Sequence, residues 1–122
     1  VNQLGGFRVQ GRGDRAAEIL RDEAKACEQA GCFALVLECV PDDLAAEITE
    51  SLAIPTIGIG AGSGTDGQVL VMQDLLGLSS DFKPKFVRKY LDGRQLWQDA
   101  FNAYASDVKS GQFPAADESY HQ

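Results

Sequence analysis

Glu38 is the residue of this sequence whose position most clearly suggests chemistry. It closes the run FALVLE, in which every preceding residue is apolar. A carboxylate at the end of a buried strand stands where α/β proteins place their sites, at the carboxyl ends of the strands. The residues around it, 37 and 39–41, solvate an anion poorly, and desolvation makes a carboxylate a stronger proton acceptor. Glu38 is therefore a candidate general base, and the alternative is a glutamate that pairs with a cation or faces solvent.

Two other features could carry chemistry but give weaker signals. The glycine-rich run GIGAGSGTDG, residues 58–67, resembles a loop that binds phosphate through backbone N–H groups. It contains no lysine and lacks the G-x-x-x-x-G-K-[ST] pattern, so a tight turn that needs glycine for structural reasons is favoured. His121 is the only histidine and lies next to the end of the chain, so no Ser-His-Asp or Cys-His arrangement is predicted.

Helical and strand-like segments alternate around Glu38. Apolar residues recur at helical spacing over 14–30, with Asp14 as a candidate N-cap and Gly31 as a stop signal. A second helix opens at Pro41. Its predicted apolar stripe is Leu44, Ile48 and Leu52. The predicted strands are 33–37, 54–59 and 68–72. This order indicates an α/β fold.

The sequence of the first strand predicts that its two faces differ in their surroundings. Alternation places Glu38 and Val36 on one face, with Leu35 and Leu37 on the other, where they would pack under helices. The unbroken apolar run favours a parallel strand that is covered on both faces. The connection to the third strand is harder to explain, because only residues 60–67 separate it from the second strand, whereas a parallel crossover normally needs about a dozen residues or more. Periodicity alone favours a hairpin there.

The remaining sequence predicts C-terminal helices at about 84–110 and a polar, extended tail at 111–122. The first part of this region is expected to be a loop and a short helix. The second part, 93–110, is expected to be an amphipathic helix with an aromatic face formed by Trp97, Phe101 and Tyr104.

Length, composition and charge exclude several classes of protein. With 122 residues the chain can form one ordinary domain, and with 44% hydrophobic residues it is neither disordered in composition nor membrane-spanning, so no membrane partner is expected. A formal charge of -7 repels phosphates, so nucleic-acid binding is not expected. Three cysteines without C-x-x-C spacing predict neither a disulfide framework nor a zinc site, and they suit a reducing cytoplasm.

Six separated strings resemble one known family, that of ketopantoate hydroxymethyltransferase. They are GGFRVQGR at 5–12, FALVLECVP at 33–41, ITESLAIPTIGIGAG at 48–62, DGQVLV at 66–71, DLLGL at 74–78 and PKFVRKY at 84–90. The resemblance covers nearly the whole chain and implies a (β/α)₈ barrel of the phosphoenolpyruvate/pyruvate type. Residues 1–122 would then be the C-terminal portion of a single barrel domain, and 60–67 would connect its last two parallel strands rather than form a hairpin.

The same resemblance implies an activity in pantothenate biosynthesis. Members of the family transfer a hydroxymethyl group from 5,10-methylenetetrahydrofolate to 3-methyl-2-oxobutanoate, which gives 2-dehydropantoate. Glu38 matches the family's proton acceptor, and Ile59, Val69 and Val71 match positions that line the pocket for the isopropyl group. The resemblance also implies a large homo-oligomer, a decamer in bacterial relatives.

The family's metal-binding residues have no counterpart in this chain. Magnesium chelates the 2-oxo acid and stabilises the enolate in the family, a Lewis-acid role. Its ligands are expected in an N-terminal half that this chain lacks, so we expect no metal ligand here and no activity from the chain alone. Two alternatives stay open: another magnesium-dependent 2-oxo acid lyase or transferase of the same barrel type, and a non-catalytic α/β module that binds an anion.

Overall fold

The structure is a computed structural model that describes residues 9–79 and 84–120 of the chain. Its described residues fall into two compact units. The first runs as far as Leu70 and also includes 84–87, and the second contains 71–79 and 88–120. The elements of the first unit are α1 (Asp14–Gln29), β1 (Leu35–Glu38), α2 (Asp42–Ser51), β2 (Thr56–Ile59) and β3 (Gly67–Gln68). Those of the second are α3 (Met72–Leu75), α4 (Gly93–Ser110) and a 3₁₀ turn at Ala116–Glu118.

Helix α1 begins and ends at glycines. Gly13, with φ +87°, is the N-cap, so the expected capping role of Asp14 is wrong and Asp14 is instead the first helical residue. An acidic side chain there still favours the positive end of the helix dipole. Gly31, with φ +90°, follows the C-cap and stops the helix as predicted. The apolar face of α1 buries Ala24 in the core of the unit.

Helix α2 contributes most of the core of the first unit. Pro41 precedes it as predicted, and the side chain of Asp43 accepts a hydrogen bond from the Leu44 N–H at 2.8 Å. Leu44 and Ile48 of the predicted stripe are buried, whereas Leu52 is half-buried at the C-cap. These side chains form one cluster with the other buried apolar residues, which are Ala24, Leu37, Val40, Ala45 and Ala61.

The three strands form a parallel sheet in the order β1-β2-β3. The register pairs Val36 with Ile57 and Glu38 with Ile59. The α/β class and the parallel pairing of β2 with β3 are confirmed, so the hairpin that periodicity alone favours is wrong. Each strand is shorter than predicted.

The two faces of the sheet differ sharply. Leu37 packs on the helices, whereas Val36 on the other face is 58% exposed. The predicted division into faces is therefore confirmed, but β1 is not covered on both sides, and Phe33, expected to belong to the strand, precedes it and is 89% exposed. We call the side of the sheet that carries Val36, Ile57, Glu38 and Ile59 the open face.

A helix-free crossover joins β2 to β3. The chain from Gly60 to Asp66 returns across the side of β2 that carries the helices, because Gly58 has no side chain there and Thr65 takes the space. A Cβ on Gly64 would lie 2.6 Å from the Cβ of Ala46, and one on Gly62 would overlap the Cβ of Asp42. Close approach of the loop to α2 therefore requires glycine, which supports the structural explanation of this run.

Hydrogen bonds to the buried Thr56 close the crossover at the start of β2. Thr56 is fully buried, and its N–H donates to Oδ2 of Asp66 at 2.8 Å. The Thr56 hydroxyl also lies 2.7 Å from that of Thr49 on α2. The end of the loop is thus fixed to β2 through Asp66, and β2 is in turn fixed to α2 through Thr56 and Thr49.

The second unit is built on α4, whose bounds match the prediction. Gly93 is buried against Leu76, to whose carbonyl its N–H donates at 2.8 Å, and Gly111 ends the helix with φ +73°. The aromatic side chains of the predicted face are exposed, although Tyr104 meets Phe113 in an edge contact with ring centroids 5.3 Å apart. No helix in the described ranges is long and apolar enough to cross a membrane.

Two C-terminal predictions are wrong. No helix forms within 84–92, where a single turn brings the Val87 N–H to the Pro84 carbonyl at 3.0 Å. The tail is not fully extended, because Ala116–Glu118 forms a 3₁₀ turn in which Oε2 of Glu118 accepts the Ala115 N–H at 2.8 Å. At both places local hydrogen bonds form a turn instead of the short helix or the extended tail that the sequence predicted.

We expect Gly62→Ala to lower the free energy of unfolding of the complete protein by roughly 2–4 kcal/mol, because the added methyl overlaps α2 and the residue has φ +74°. Gly31→Ala is the matched control. It also has positive φ, but no described atom lies within 4 Å of its Cβ position, so only the backbone cost of about 1 kcal/mol remains. Urea titrations followed by circular dichroism measure both, and equal losses would contradict the close approach.

Candidate active site

Glu38 is the last residue of β1 and lies at the carboxyl end of the sheet. Its register partner is Ile59, the last residue of β2, so both predicted site residues stand at the same level of the open face. Parallel strands end together at one edge, and this edge is where α/β folds bind ligands. The position predicted for Glu38 from the apolar run is therefore confirmed.

Val69 joins this group through the register of β3. Gly67 pairs with Ile57, and the Val69 N–H donates to the Gly58 carbonyl at 3.0 Å, which continues the ladder. Val69 lies one residue beyond the end of β3, and this bond keeps its backbone next to the end of β2. Its side chain is half exposed. The sheet thus brings a carboxylate and two branched apolar side chains side by side.

Val71 is placed differently from the prediction. The third strand ends at Gln68 rather than at Met72, so neither Val69 nor Val71 lies within it, and Val71 belongs to the second unit. Val71 instead precedes α3 in the second unit, where its carbonyl accepts hydrogen bonds from the N–H groups of Asp74 and Leu75. The apolar run VLVM is compatible with both a strand and the start of a helix, which explains the error.

Cys39 turns the chain away from the sheet directly after Glu38. It has φ +54°, a left-handed conformation that side chains other than glycine rarely adopt. Its N–H donates to the Ile59 carbonyl at 2.9 Å, and its carbonyl accepts the Gln10 N–H at 2.8 Å. In the sequence Cys39 stands out only as a thiol, and no local signal reveals this backbone conformation.

The electrostatics of the site are those of a carboxylate in water next to a partly buried thiol. Burial, and then the negative charge of Glu38, raise the pKa of Cys39 above its ordinary value. Glu38 itself is exposed among the described residues. The side chain can therefore accept a proton from a ligand on the open face without moving a covering residue of this unit.

Phe86 covers the end of β2 and was not identified from the sequence. Its Cδ1 lies 2.8 Å from the position that a Cβ on Gly60 would occupy, so the ring packs directly on the glycine backbone next to Ile59. The turn at 84–87 thereby belongs to the first unit. In the sequence, the signal that could have identified Phe86 was an aromatic residue within the basic string PKFVRKY.

A cavity of about 210 Å³ lies beside β1 in the first unit. Its lining includes Leu20 and Ala24 of α1, Val36 and Glu38 of β1, and Gln10. The lining contains two carboxylates, Glu23 and Glu38, which can accept a proton, and it contains no cationic side chain that would hold an anion. The cavity therefore fits proton transfer better than phosphate binding.

The described part of the chain holds no cluster of three or more His, Cys, Asp or Glu side chains that could hold a metal ion. The magnesium implied by the resemblance thus has no ligand set among residues 9–79 and 84–120. His121 lies outside the described residues.

We expect Cys39 to react with iodoacetamide more slowly than the exposed Cys32 at pH 8, because its raised pKa leaves less thiolate. Glu38→Gln removes the neighbouring negative charge, so the pKa of Cys39 falls and its alkylation accelerates. Mass spectrometry measures both rates in one sample, with Cys32 as the internal reference. An unchanged ratio in the variant would show that the two groups do not interact.

Comparison with known proteins identifies one family. The model of the family described as ketopantoate hydroxymethyltransferase matches residues 1–116. A 3-methyl-2-oxobutanoate hydroxymethyltransferase of Francisella tularensis subsp. tularensis is 57% identical over 120 residues, which are 98% of this chain and 46% of that relative. One of Legionella pneumophila is 55% identical with the same coverage. The chain thus spans about half the length of the curated relatives that it matches.

The strings that carry the resemblance and these matches agree across nearly the whole chain, and the family is one of transferases. This chain belongs to the ketopantoate hydroxymethyltransferase family.

Proposed function

We propose that the complete protein transfers a hydroxymethyl group from 5,10-methylenetetrahydrofolate to 3-methyl-2-oxobutanoate and gives 2-dehydropantoate. Membership of the family supports the reaction. The observation that carries the proposal is the position of Glu38, a carboxylate at the carboxyl end of a parallel sheet, level with Ile59 on the open face. The reaction needs a base beside an apolar surface, and this arrangement supplies both.

Glu38 is the proposed base. A carboxylate oxygen takes the proton from C3 of the oxo acid, and the electrons of that C–H bond form the C2–C3 double bond of an enolate. Water supplies the hydroxyl oxygen: it replaces both carbon–nitrogen bonds of the folate's methylene carbon, which gives formaldehyde and tetrahydrofolate. C3 of the enolate attacks the formaldehyde carbon, the electrons of its C=O bond pass to the oxygen, and that oxygen takes up the proton that Glu38 removed. The branched side chains of Ile59 and Val69 suit the substrate's isopropyl group, so both are proposed substrate-binding residues. Val71 is proposed on the resemblance to the family alone.

The sheet is proposed to be the C-terminal part of a (β/α)₈ barrel of the phosphoenolpyruvate/pyruvate type. Its strands are parallel, its helices α1 and α2 pack on one face, and the opposite face is open. In such a barrel the open face would point inward and its apolar side chains would join the packed interior. The residues 1–122 would then be one portion of a single domain.

Magnesium and most of the folate site belong, in this proposal, to parts of the complete protein outside this chain. The residues described here do not fit a metal site, and no step above is routed through one. The three cysteines are free, which agrees with a cytoplasmic location. A homo-oligomer is proposed as well, with the exposed aromatic face of α4 as the contact surface between copies.

We expect Glu38→Gln in the complete protein to slow exchange of the C3 proton of 3-methyl-2-oxobutanoate by at least about 100-fold, because a positioned base contributes roughly 10²–10⁴ in rate. The dissociation constant of the oxo acid should change by less than about threefold, since glutamine keeps the size of the side chain. Loss of the C3 proton signal in D₂O, followed by NMR, measures exchange. Exchange at the wild-type rate would refute the assigned role.

Glu50→Gln is the matched control for this experiment. Glu50 is an exposed glutamate of α2 and is not among the proposed site residues. The same charge is removed without touching the open face, so exchange should stay at the wild-type rate. A comparable loss in both variants would indicate a general effect of net charge.

We expect the 122-residue chain alone to show no turnover, because the described residues offer no metal site and the chain covers about half of its relatives. The assay is formation of 2-dehydropantoate with magnesium and both substrates, with the complete protein as the positive control. Measurable turnover by the purified chain would contradict this expectation.

A further inference from the structure

Cys39 is the only residue other than glycine with a positive φ in the described part of the chain. Side chains disfavour this conformation, so it persists only where the surroundings determine it. Such residues concentrate at functional sites, and Cys39 directly follows the candidate base.

The connection between β1 and α2 leaves one place for the turn. Only Cys39, Val40 and Pro41 separate the strand from the helix. Val40 is buried in the core, and it is restricted to extended conformations because a proline follows it. Pro41 has its φ fixed by its ring and is itself the N-cap of α2. The reversal that the chain needs can therefore occur only at Cys39.

Two hydrogen bonds hold the conformation. The bond from the Cys39 N–H to the Ile59 carbonyl extends the β1-β2 ladder by one position, and it fixes the peptide group that joins Glu38 to Cys39. The bond from the Gln10 N–H fixes the Cys39 carbonyl on the other side of the turn. The first bond fixes the peptide group after Glu38, and the pairing of β1 with β2 holds the one before it, so the side chain of Glu38 stays on the open face beside Ile59.

We propose that Cys39 is a positioning residue for Glu38, and that it acts through its left-handed backbone rather than through its thiol. This inference rests on the proposed function, in which Glu38 takes the C3 proton. Cys39 does not touch the substrate in this proposal. An extended backbone at residue 39 would withdraw Val40 from the core and move the carboxylate away from its place at the strand end.

The test is a series of substitutions in the complete protein, ranked by tolerance of positive φ. Glycine and asparagine tolerate it, alanine resembles cysteine but lacks the thiol, and valine is β-branched and strongly averse. We expect exchange of the C3 proton to stay within about threefold of wild type for Cys39→Gly, Cys39→Asn and Cys39→Ala. For Cys39→Val we expect a loss of at least about tenfold, with KM for the oxo acid changed less than about threefold. Cys32→Val, at an exposed cysteine away from the site, should match wild type.

The outcomes separate this inference from the proposed function. Slow exchange in Cys39→Gly or Cys39→Asn would overturn it, because the side chain would then matter more than the backbone, and this holds even if Cys39→Val does not fold. Slow exchange in Cys39→Ala would overturn it in favour of the thiol. A wild-type rate in Cys39→Val, while Glu38→Gln is slow, would overturn the positioning role and leave the proposed function intact. A wild-type rate in Glu38→Gln would overturn both.

Discussion

The parallel sheet depends on how closely the chain can approach helix α2. A parallel strand normally requires a helical crossover, yet β2 and β3 are joined by a loop that lies directly on the helix and on β2 itself. This is possible because glycine stands at 58, 62 and 64, where any Cβ would collide with Thr65, Asp42 or Ala46. Hydrogen bonds between the buried Thr56 and Asp66 then fix the end of the loop.

The candidate site follows from that constraint. With the crossover fixed, β3 adopts the register that sets Val69 beside Ile59, and the pairing of β1 with β2 sets Glu38 on the other side of Ile59. The glycine-rich run therefore acts on the site indirectly, by determining which residues are level with one another. Its glycines pack on α2, and this packing explains why the composition of the run resembles that of a phosphate-binding loop.

The local sequence pattern predicted those elements whose conformation is determined by nearby residues. Helix α4 was predicted at its observed bounds, and Gly31 was recognised as the stop of α1, because helical spacing and left-handed glycines can be read within a few residues. The position of Glu38 followed from strand alternation in the same way. The parallel pairing of β3 did not, and here the resemblance to a family was needed, since loop length alone favoured a hairpin.

What the sequence did not reveal has non-local causes. The conformation of Cys39 is held by Gln10 and Ile59, which are 29 and 20 positions away, and Phe86 reaches Gly60 from a distant turn. Strand β3 stopped early because the apolar run after Gln68 passes into the second unit, where Val71 begins a helix. Exposure of Glu38 likewise depends on which other elements surround the open face.

The open face gives the isolated chain the surface properties of an unfinished sheet. β1 is an edge strand of the described sheet, Val36 on it is 58% exposed, and Phe33 just before it is 89% exposed. Unpaired strand edges next to exposed apolar side chains promote pairing between copies. In concentrated solution such a chain would tend to self-associate and to bind hydrophobic dyes, and its net charge of -7 would be the main force that keeps the molecules apart.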